Sequence, residues 1–146
     1  LLRRIEEGYK GGPAMYWAIT EKSNNKVIGT FGFFNISSQY RSAELGKGIS
    51  PDYWGKGYVY ELLGIMLFYA FEILNLKSLY SFTQSSNIAN IKSMEKAGFR
   101  IVEIIDEYTD GIGYKSKNVK LVIKKDQTNI KSCFKKAFLK YNENNI

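Results

Sequence analysis

A mixed α/β fold of the α+β type, with a mostly antiparallel central sheet flanked by helices, is what these 146 residues predict. Three observations carry that expectation. Strand-like and helix-like segments interleave along the chain around one set of hairpins. Short runs of aromatic and β-branched residues are separated by turn residues at hairpin distances. One helical stretch is apolar on nearly all sides, as a helix pressed onto a sheet must be. With 45% hydrophobic and 15% aromatic residues the chain can build one real core, and its length is too short for two.

Taken in order, Leu1 to Tyr9 reads as the end of a helix closed at Gly8 or at Gly11-Gly12-Pro13. Met15 to Thr20 and Val27 to Phe34 form a hairpin, with Ser23-Asn24-Asn25 as its turn. A polar loop, Asn35 to Ser42, leads to a third strand, Ala43 to Ile49, which Ser50-Pro51-Asp52 stops. Gly57 to Leu74 is the apolar helix, with Leu62, Leu63, Ile65, Met66, Phe68, Phe71 and Ile73 around its circumference. Leu79 to Thr83 is a short central strand, and the polar turn Ser85 to Asn90 caps a second helix that ends at Gly98. Arg100 to Tyr108 and Tyr114 to Lys124 make a last hairpin across Thr109-Asp110-Gly111. The domain is expected over residues 1–125, with 126–146 as a helical extension. In that extension Ile130, Cys133, Phe134, Ala137, Phe138 and Tyr141 recur at helical spacing. So short a helix is marginal alone in water, so it is expected to dock on this domain or on a second subunit, a homodimer in the latter case.

Composition removes whole classes of chemistry. There is no histidine, which excludes Ser-His-Asp and Cys-His nucleophile systems and histidine-containing zinc sites. A single cysteine, Cys133, excludes a thiolate zinc site and an intramolecular disulfide, so no metal is expected. It fits a reducing compartment, and the cytoplasm is the expected location. No apolar run reaches the ~18 residues of a membrane span, and the longest, Leu62 to Leu74, is broken by Gly64 and Glu72, so no membrane partner is expected. The net charge of +7 is local: residues 115–140 hold nine lysines against Asp126, and the remainder is nearly neutral. Nucleic-acid binding through that tail is therefore the weakest of the readings.

Chemistry points to one segment. Ala43-Glu44-Leu45-Gly46-Lys47-Gly48-Ile49 is followed by Ser50-Pro51-Asp52-Tyr53-Trp54-Gly55-Lys56-Gly57-Tyr58-Val59. A strand ends, the chain turns through glycines, and a buried helix begins. The first turn of such a helix presents unpaired N–H groups and the positive end of the macrodipole. Gly55 and Gly57 remove side chains, so a diphosphate can reach the backbone. On pattern alone an anion site and a plain turn before a core helix both remain open. A Walker loop is excluded, because six residues separate Gly48 from Gly55-Lys56 and Gly57 follows the lysine. A dinucleotide fingerprint is excluded as well, since Tyr60 stands where its third glycine belongs.

Ala-Glu-Leu-Gly, Ser-Pro-Asp-Tyr-Trp-Gly-Lys-Gly-Tyr, Tyr69-Ala70-Phe71-Glu72, Asn87-Ile88-Ala89-Asn90 and Glu95-Lys96-Ala97-Gly98-Phe99, in that order, resemble the GNAT superfamily of N-acetyltransferases. The resemblance is strongest to the Rim-type ribosomal-protein N-terminal acetyltransferases and covers residues 1 to about 124. It implies a GNAT-like acyl-CoA N-acyltransferase fold, with acetyl-CoA as cosubstrate and an amine acceptor. The pantetheine arm is then expected to pair with the strand Ala43–Ile49 as an added strand does, where Leu79–Thr83 splays away. The diphosphate is expected on the backbone of Trp54, Gly55, Lys56, Gly57, Tyr58 and Val59, with Asn87 on the arm and Asn90 near the thioester sulfur. Lys56 is equally well read as a solvated turn lysine, and Tyr53, Trp54 and Tyr58 read better as packing residues than as ligands. An N–H near Ile49 is expected to hold the oxyanion, and Glu44 is the candidate base, directly or through water.

Two departures from the pattern stand out. Val59 replaces the usual Gly or Ala of the phosphate loop, and Met94 takes the place of a tyrosine that protonates the departing thiolate. Ser93 is the nearby hydroxyl, Asn90 can position a water, and water itself is a third source. The branch also has a strand and helix before this point, so one such unit is expected to be lacking here. An amine N-acetyltransferase acting on a protein N-terminus or small amine is the expected function. A catalytically weak or inactive CoA-binding or interaction module is the alternative.

Overall fold

The computed structural model describes residues 14–109 and 115–128. The chain runs β1 (Met15–Thr20), β2 (Val27–Ser37), β3 (Ser42–Ile49), a 3-10 turn Pro51–Tyr53, α1 (Tyr58–Phe68) continued by a π-helical turn Tyr69–Ile73, β4 (Ser78–Gln84), α2 (Ile88–Lys96), β5 (Arg100–Thr109) and β6 (Lys115–Lys124). The strands make one six-stranded sheet in the order β1-β2-β3-β4-β6-β5. Every neighbouring pair is antiparallel except β3 and β4, which run parallel. The mixed, mostly antiparallel sheet expected from the sequence is the one observed.

Alternation along the strands divides the sheet into two faces. Phe33, Ala43, Leu45, Leu79, Val119, Leu121 and Ile123 lie on one face and pack with Leu63, Met66, Leu67 and Phe71 of the first helix and Ile91 and Met94 of α2. Each large apolar side chain so buried contributes about 1.5–3 kcal/mol, which is why α1 forms despite having no polar stripe. The register Phe34↔Glu44↔Tyr80 marks the opposite face.

Two sequence expectations change. The loop Asn35 to Ser42 is shorter, because β2 continues to Ser37 and a bulge lies between the pairs Phe34↔Glu44 and Ser37↔Ser42. Asn35 adopts φ 48°, so the residue that signals a turn supplies a bulge instead. The helix expected to run to Leu74 widens in its last turn, where the Leu74 N–H donates to the Tyr69 carbonyl at 2.9 Å. There the Tyr69 ring meets Trp17 edge-on at 5.3 Å and stacks with Phe33 at 6.4 Å. A 3-10 turn, Lys125–Gln127, follows β6. The helix expected at Leu1–Tyr9, the tip of the last hairpin and the extension Asn129–Tyr141 lie outside the described residues.

Candidate active site

The parallel joint between β3 and β4 is brief. Pairing covers Ser42↔Ser78, Ala43↔Leu79 and Glu44↔Tyr80, and then stops, although β3 runs on to Ile49 and β4 to Gln84. The two strands splay and leave a cleft. Which backbone groups line it follows from alternation. The Arg41 carbonyl accepts from the Lys77 N–H at 2.6 Å, on the β4 side, while the Ser50 N–H donates to the Ile28 carbonyl at 2.8 Å, on the β2 side. Successive residues of an extended strand aim their backbone groups to opposite edges. The odd-numbered residues of β3 therefore face β4, and beyond the ladder the cleft receives the N–H groups of Lys47 and Ile49. This is the open edge that a β-augmenting ligand needs, on the strand where the family resemblance implies one.

Glu44 sits at the bottom of the splay, 5% exposed, and its Oε2 accepts from the Asn35 Nδ2 at 3.0 Å. The bulge in β2 is what brings Asn35 there. Glu44 and Tyr80 share the face opposite the helices. A carboxylate at the closed end of a cleft, held by an amide donor, can accept a proton from a group bound there.

At the other end, β3 stops at Ile49, the turn Pro51–Tyr53 closes on Trp54, and the glycines follow. Gly55 has φ +73° and Gly57 φ +81°, both in the left-handed region that favours glycine. A Cβ at Gly55 would meet nothing within 4 Å, so the turn faces open space. Gly57 is the N-cap of α1 and supplies no side-chain cap; the first helical bond is that of the Glu61 N–H to the Gly57 carbonyl, at 3.2 Å. The amides of Tyr58, Val59 and Tyr60 thus project from the helix end. This arrangement fits a diphosphate.

One expected loop contact, that of Trp54, is corrected by the geometry. The Trp54 amide donates to the Pro51 carbonyl at 3.0 Å and its indole N–H to the Ile49 carbonyl at 2.8 Å, so neither is left for an anion. Trp54 instead ties the end of β3 to the loop. The Lys56 ammonium stands over the Tyr53 ring, 4.8 Å from its centroid, rather than over the amides. Val59 does not crowd the loop, because its side chain packs against the core.

The start of α2 forms the far wall. Asn87 is its N-cap, and its Oδ1 accepts from the Asn90 N–H at 3.2 Å. That oxygen is committed to the helix, which leaves the Asn87 amide NH₂ for a ligand. The Asn90 Nδ2 donates to Thr83 Oγ1 on β4 at 3.0 Å, and the Asn90 Oδ1 accepts from the Lys47 ammonium. Ser93 donates its hydroxyl proton to the Asn90 carbonyl at 2.8 Å, one turn earlier in its own helix. Met94 is fully buried in the core.

Lys47 is the site residue that sequence reasoning missed. Burial lowers its pKa to about 8. Lysine in a strand whose one other charged residue is Glu44 was the available signal, but its partner Asn90 lies 43 residues away. Among the described residues, no cluster of metal-ligating side chains comes together, and no helix is long and apolar enough to cross a membrane.

Comparison with known proteins bears on the family and the fold. The model of the acetyltransferase (GNAT) domain matches residues 2–100. The uncharacterized N-acetyltransferase YoaA of Bacillus subtilis (strain 168) is 27% identical over 100 residues, covering 68% of this chain and 56% of its own. The uncharacterized N-acetyltransferase p20 of Bacillus licheniformis is 29% identical over 113 residues, covering 77% of this chain and 64% of its own. The chain thus spans less than two thirds of the length of these two relatives. Among solved structures, the spermidine N-acetyltransferase of Vibrio cholerae in complex with CoA and spermine superposes with a TM-score of 0.75 at 23% identity, covering 86% of this chain and 75% of that one. The dodecameric structure of the Vibrio cholerae enzyme gives 0.73 at 23% identity, covering 83% and 70%. At that identity the likeness is one of fold.

Proposed function

This chain belongs to the GNAT acetyltransferase family, and on that premise we propose that it transfers an acetyl group from acetyl-CoA to a primary amine by direct attack. The observation that carries the reading is the splay of β3 from β4 after Glu44 and Tyr80, which leaves one strand edge unpaired opposite a bare helix N-terminus. The N–H groups of Lys47 and Ile49 would hold an extended arm by strand-like pairing. The turn at Gly55 and Gly57, with the amides of Tyr58 and Val59, would hold a diphosphate. Asn87 offers its NH₂ to the arm. Acetyl-CoA supplies the activated acyl group; the protein supplies position, hydrogen bonds and proton transfer.

Glu44 takes the proton of the attacking amine. The first cleft-facing N–H past the ladder is that of Lys47, three residues from Glu44 and about 10 Å along the strand at 3.3 Å per residue. That span suits a proton relayed through water. The same amide is the oxyanion donor best placed with respect to Glu44, and Ile49, two residues further on, serves the arm instead.

The acceptor range follows from the resemblance: a protein N-terminus, as in the Rim-type branch, or a small amine. The location is the cytoplasm, and a homodimer is the proposed assembly. A second reading, a CoA-binding module with little or no turnover, is favoured by one fact: Met94, buried in the core, stands where the resemblance expects a tyrosine acid. Release of free CoA from acetyl-CoA, followed across N-terminal peptides, spermidine, amino acids and aminoglycosides, separates the two. Turnover with any acceptor supports transfer. Tight CoA binding with no turnover across the panel supports the module.

A further inference from the structure

We propose that Lys47 is the acid that returns a proton to the departing thiolate, a role resting on the acetyl-transfer reading above. Lys47 and Thr83 each lie three residues past the last ladder pair, Glu44↔Tyr80, so they flank the cleft at the same depth. Asn90 spans between them, accepting from the Lys47 ammonium and donating to Thr83 Oγ1 at 3.0 Å. This bridge lies on the helix side of the cleft and Glu44 on the other face. An acyl group therefore has the base on one side of the sheet plane and an ammonium on the other.

The amine and Glu44 are at the closed end, and the helix N-terminus at Gly57 is at the open end. An arm running from the loop toward Glu44 places its sulfur on the loop side of the acyl carbon. Lys47 is the residue of β3 that the arm passes between those two points. Its backbone N–H faces the acyl oxygen while its side chain stands beside the sulfur.

Two side chains of α2 are unsuitable, and water, the remaining source, is what the Lys47→Gln variant would be left with. Ser93 gives its proton to the Asn90 carbonyl, and Met94 has none to give. Burial makes Lys47 a competent acid, with a pKa lowered to about 8. The groups that face it are neutral: Asn90 from α2, with Thr83 of β4 behind it, and Phe31 opposite on β2. Among the described residues no carboxylate forms an ion pair with it. In the step itself the carbon–sulfur bond breaks and its electron pair passes to sulfur. The Lys47 ammonium protonates the sulfur to give the free thiol. The neutral Lys47 amine is recharged through water by the proton that Glu44 took from the nucleophile, so the cycle closes without net proton change.

The test uses Lys47→Gln and Lys47→Arg with an acceptor that turns over. Lys47→Gln is expected to lower kcat about 100-fold, with the KM for acetyl-CoA little changed. In the wild type, kcat/KM is expected to fall above pH about 8 as Lys47 loses its proton, and this limb disappears in Lys47→Gln. Lys47→Arg keeps the charge but has no proton to release at these pH values, so it stays slow. Full recovery in Lys47→Arg, a kcat unchanged in Lys47→Gln, or a loss confined to KM each overturns the proposal. If Lys47→Gln does not fold, a wild-type profile flat from pH 7 to 10 does the same. Absence of acetyl-CoA binding to the wild type by calorimetry removes the acetyl-transfer reading itself, and this proposal with it. Binding without turnover does so too.

Discussion

Gly57→Val tests the placement of the diphosphate. Gly57 has φ 81° and ψ −1° as the N-cap of α1. An L-residue held there pays about 1–2 kcal/mol, and a β-branched one is a steric outlier. The chain has two responses. If the turn keeps its shape, the loss is one of stability, and the Cβ methyls stand where the anion approaches. If the backbone yields, the amides of Tyr58 and Val59 rotate away from the loop. Two hydrogen bonds to a charged ligand, each about 1.5–3 kcal/mol, are then lost, for a total of about 3–6 kcal/mol. At 1.4 kcal/mol per decade this is roughly a 100- to 10,000-fold rise in Kd. Titration calorimetry with acetyl-CoA reads the affinity, and thermal melting reads the strain separately. Acetylpantetheine, which has no diphosphate, should bind the variant as it binds the wild type. Equal acetyl-CoA affinity in Gly57→Val and wild type refutes the placement. An equal loss for both donors shows instead that the substitution has deformed the cleft.

Three other outcomes are expected. Glu44→Gln should slow turnover about 100-fold while acetyl-CoA affinity by calorimetry stays within about twofold, as removal of a general base does; an unaltered rate sinks the assignment. Gly46→Ala places a Cβ 2.4 Å from Phe34 Cε2, in a ring packed edge-on to Tyr16 at 4.4 Å. It should lower stability by about 1–3 kcal/mol in denaturant unfolding, and a variant as stable as wild type shows that the ring gives way freely. Asn87→Ala removes the cap of α2 and should cost about 0.5–2 kcal/mol. It should also weaken acetyl-CoA binding; a stability loss with affinity intact confines Asn87 to the helix.

Local signals carried much of the fold. The hairpin at Ser23-Asn24-Asn25, the glycine turn before α1 and the cap at Asn87 each depend on residues within a few positions of one another, so sequence spacing exposes them. The bulge at Asn35 did not show, because asparagine with positive φ serves a turn and a bulge alike, and only the pairing partner decides between them. The π-helical turn was hidden for a similar reason: Tyr69 is set by Trp17 and Phe33, both distant in sequence. In the candidate site, Glu44 was legible as a carboxylate on the strand that leads into the cleft, but not the Asn35 contact that holds it. Lys47 was legible only as a charge, since its meaning depends on how far β3 and β4 stay together.

That brief parallel joint has a mechanical consequence. Three residue pairs are the ladder that unites β1–β3 with β4–β6, so the sheet is two half-sheets fastened along one short seam, with helices across it. An arm bound along β3 supplies rungs on the open stretch of that seam and so works as mortar between the halves. Cohesion of the protein then depends on how much ligand surrounds it. Saturation at 100 times Kd adds about 2.7 kcal/mol to the resistance of the whole to unfolding, and it should slow exchange of the Lys47 and Ile49 amides most.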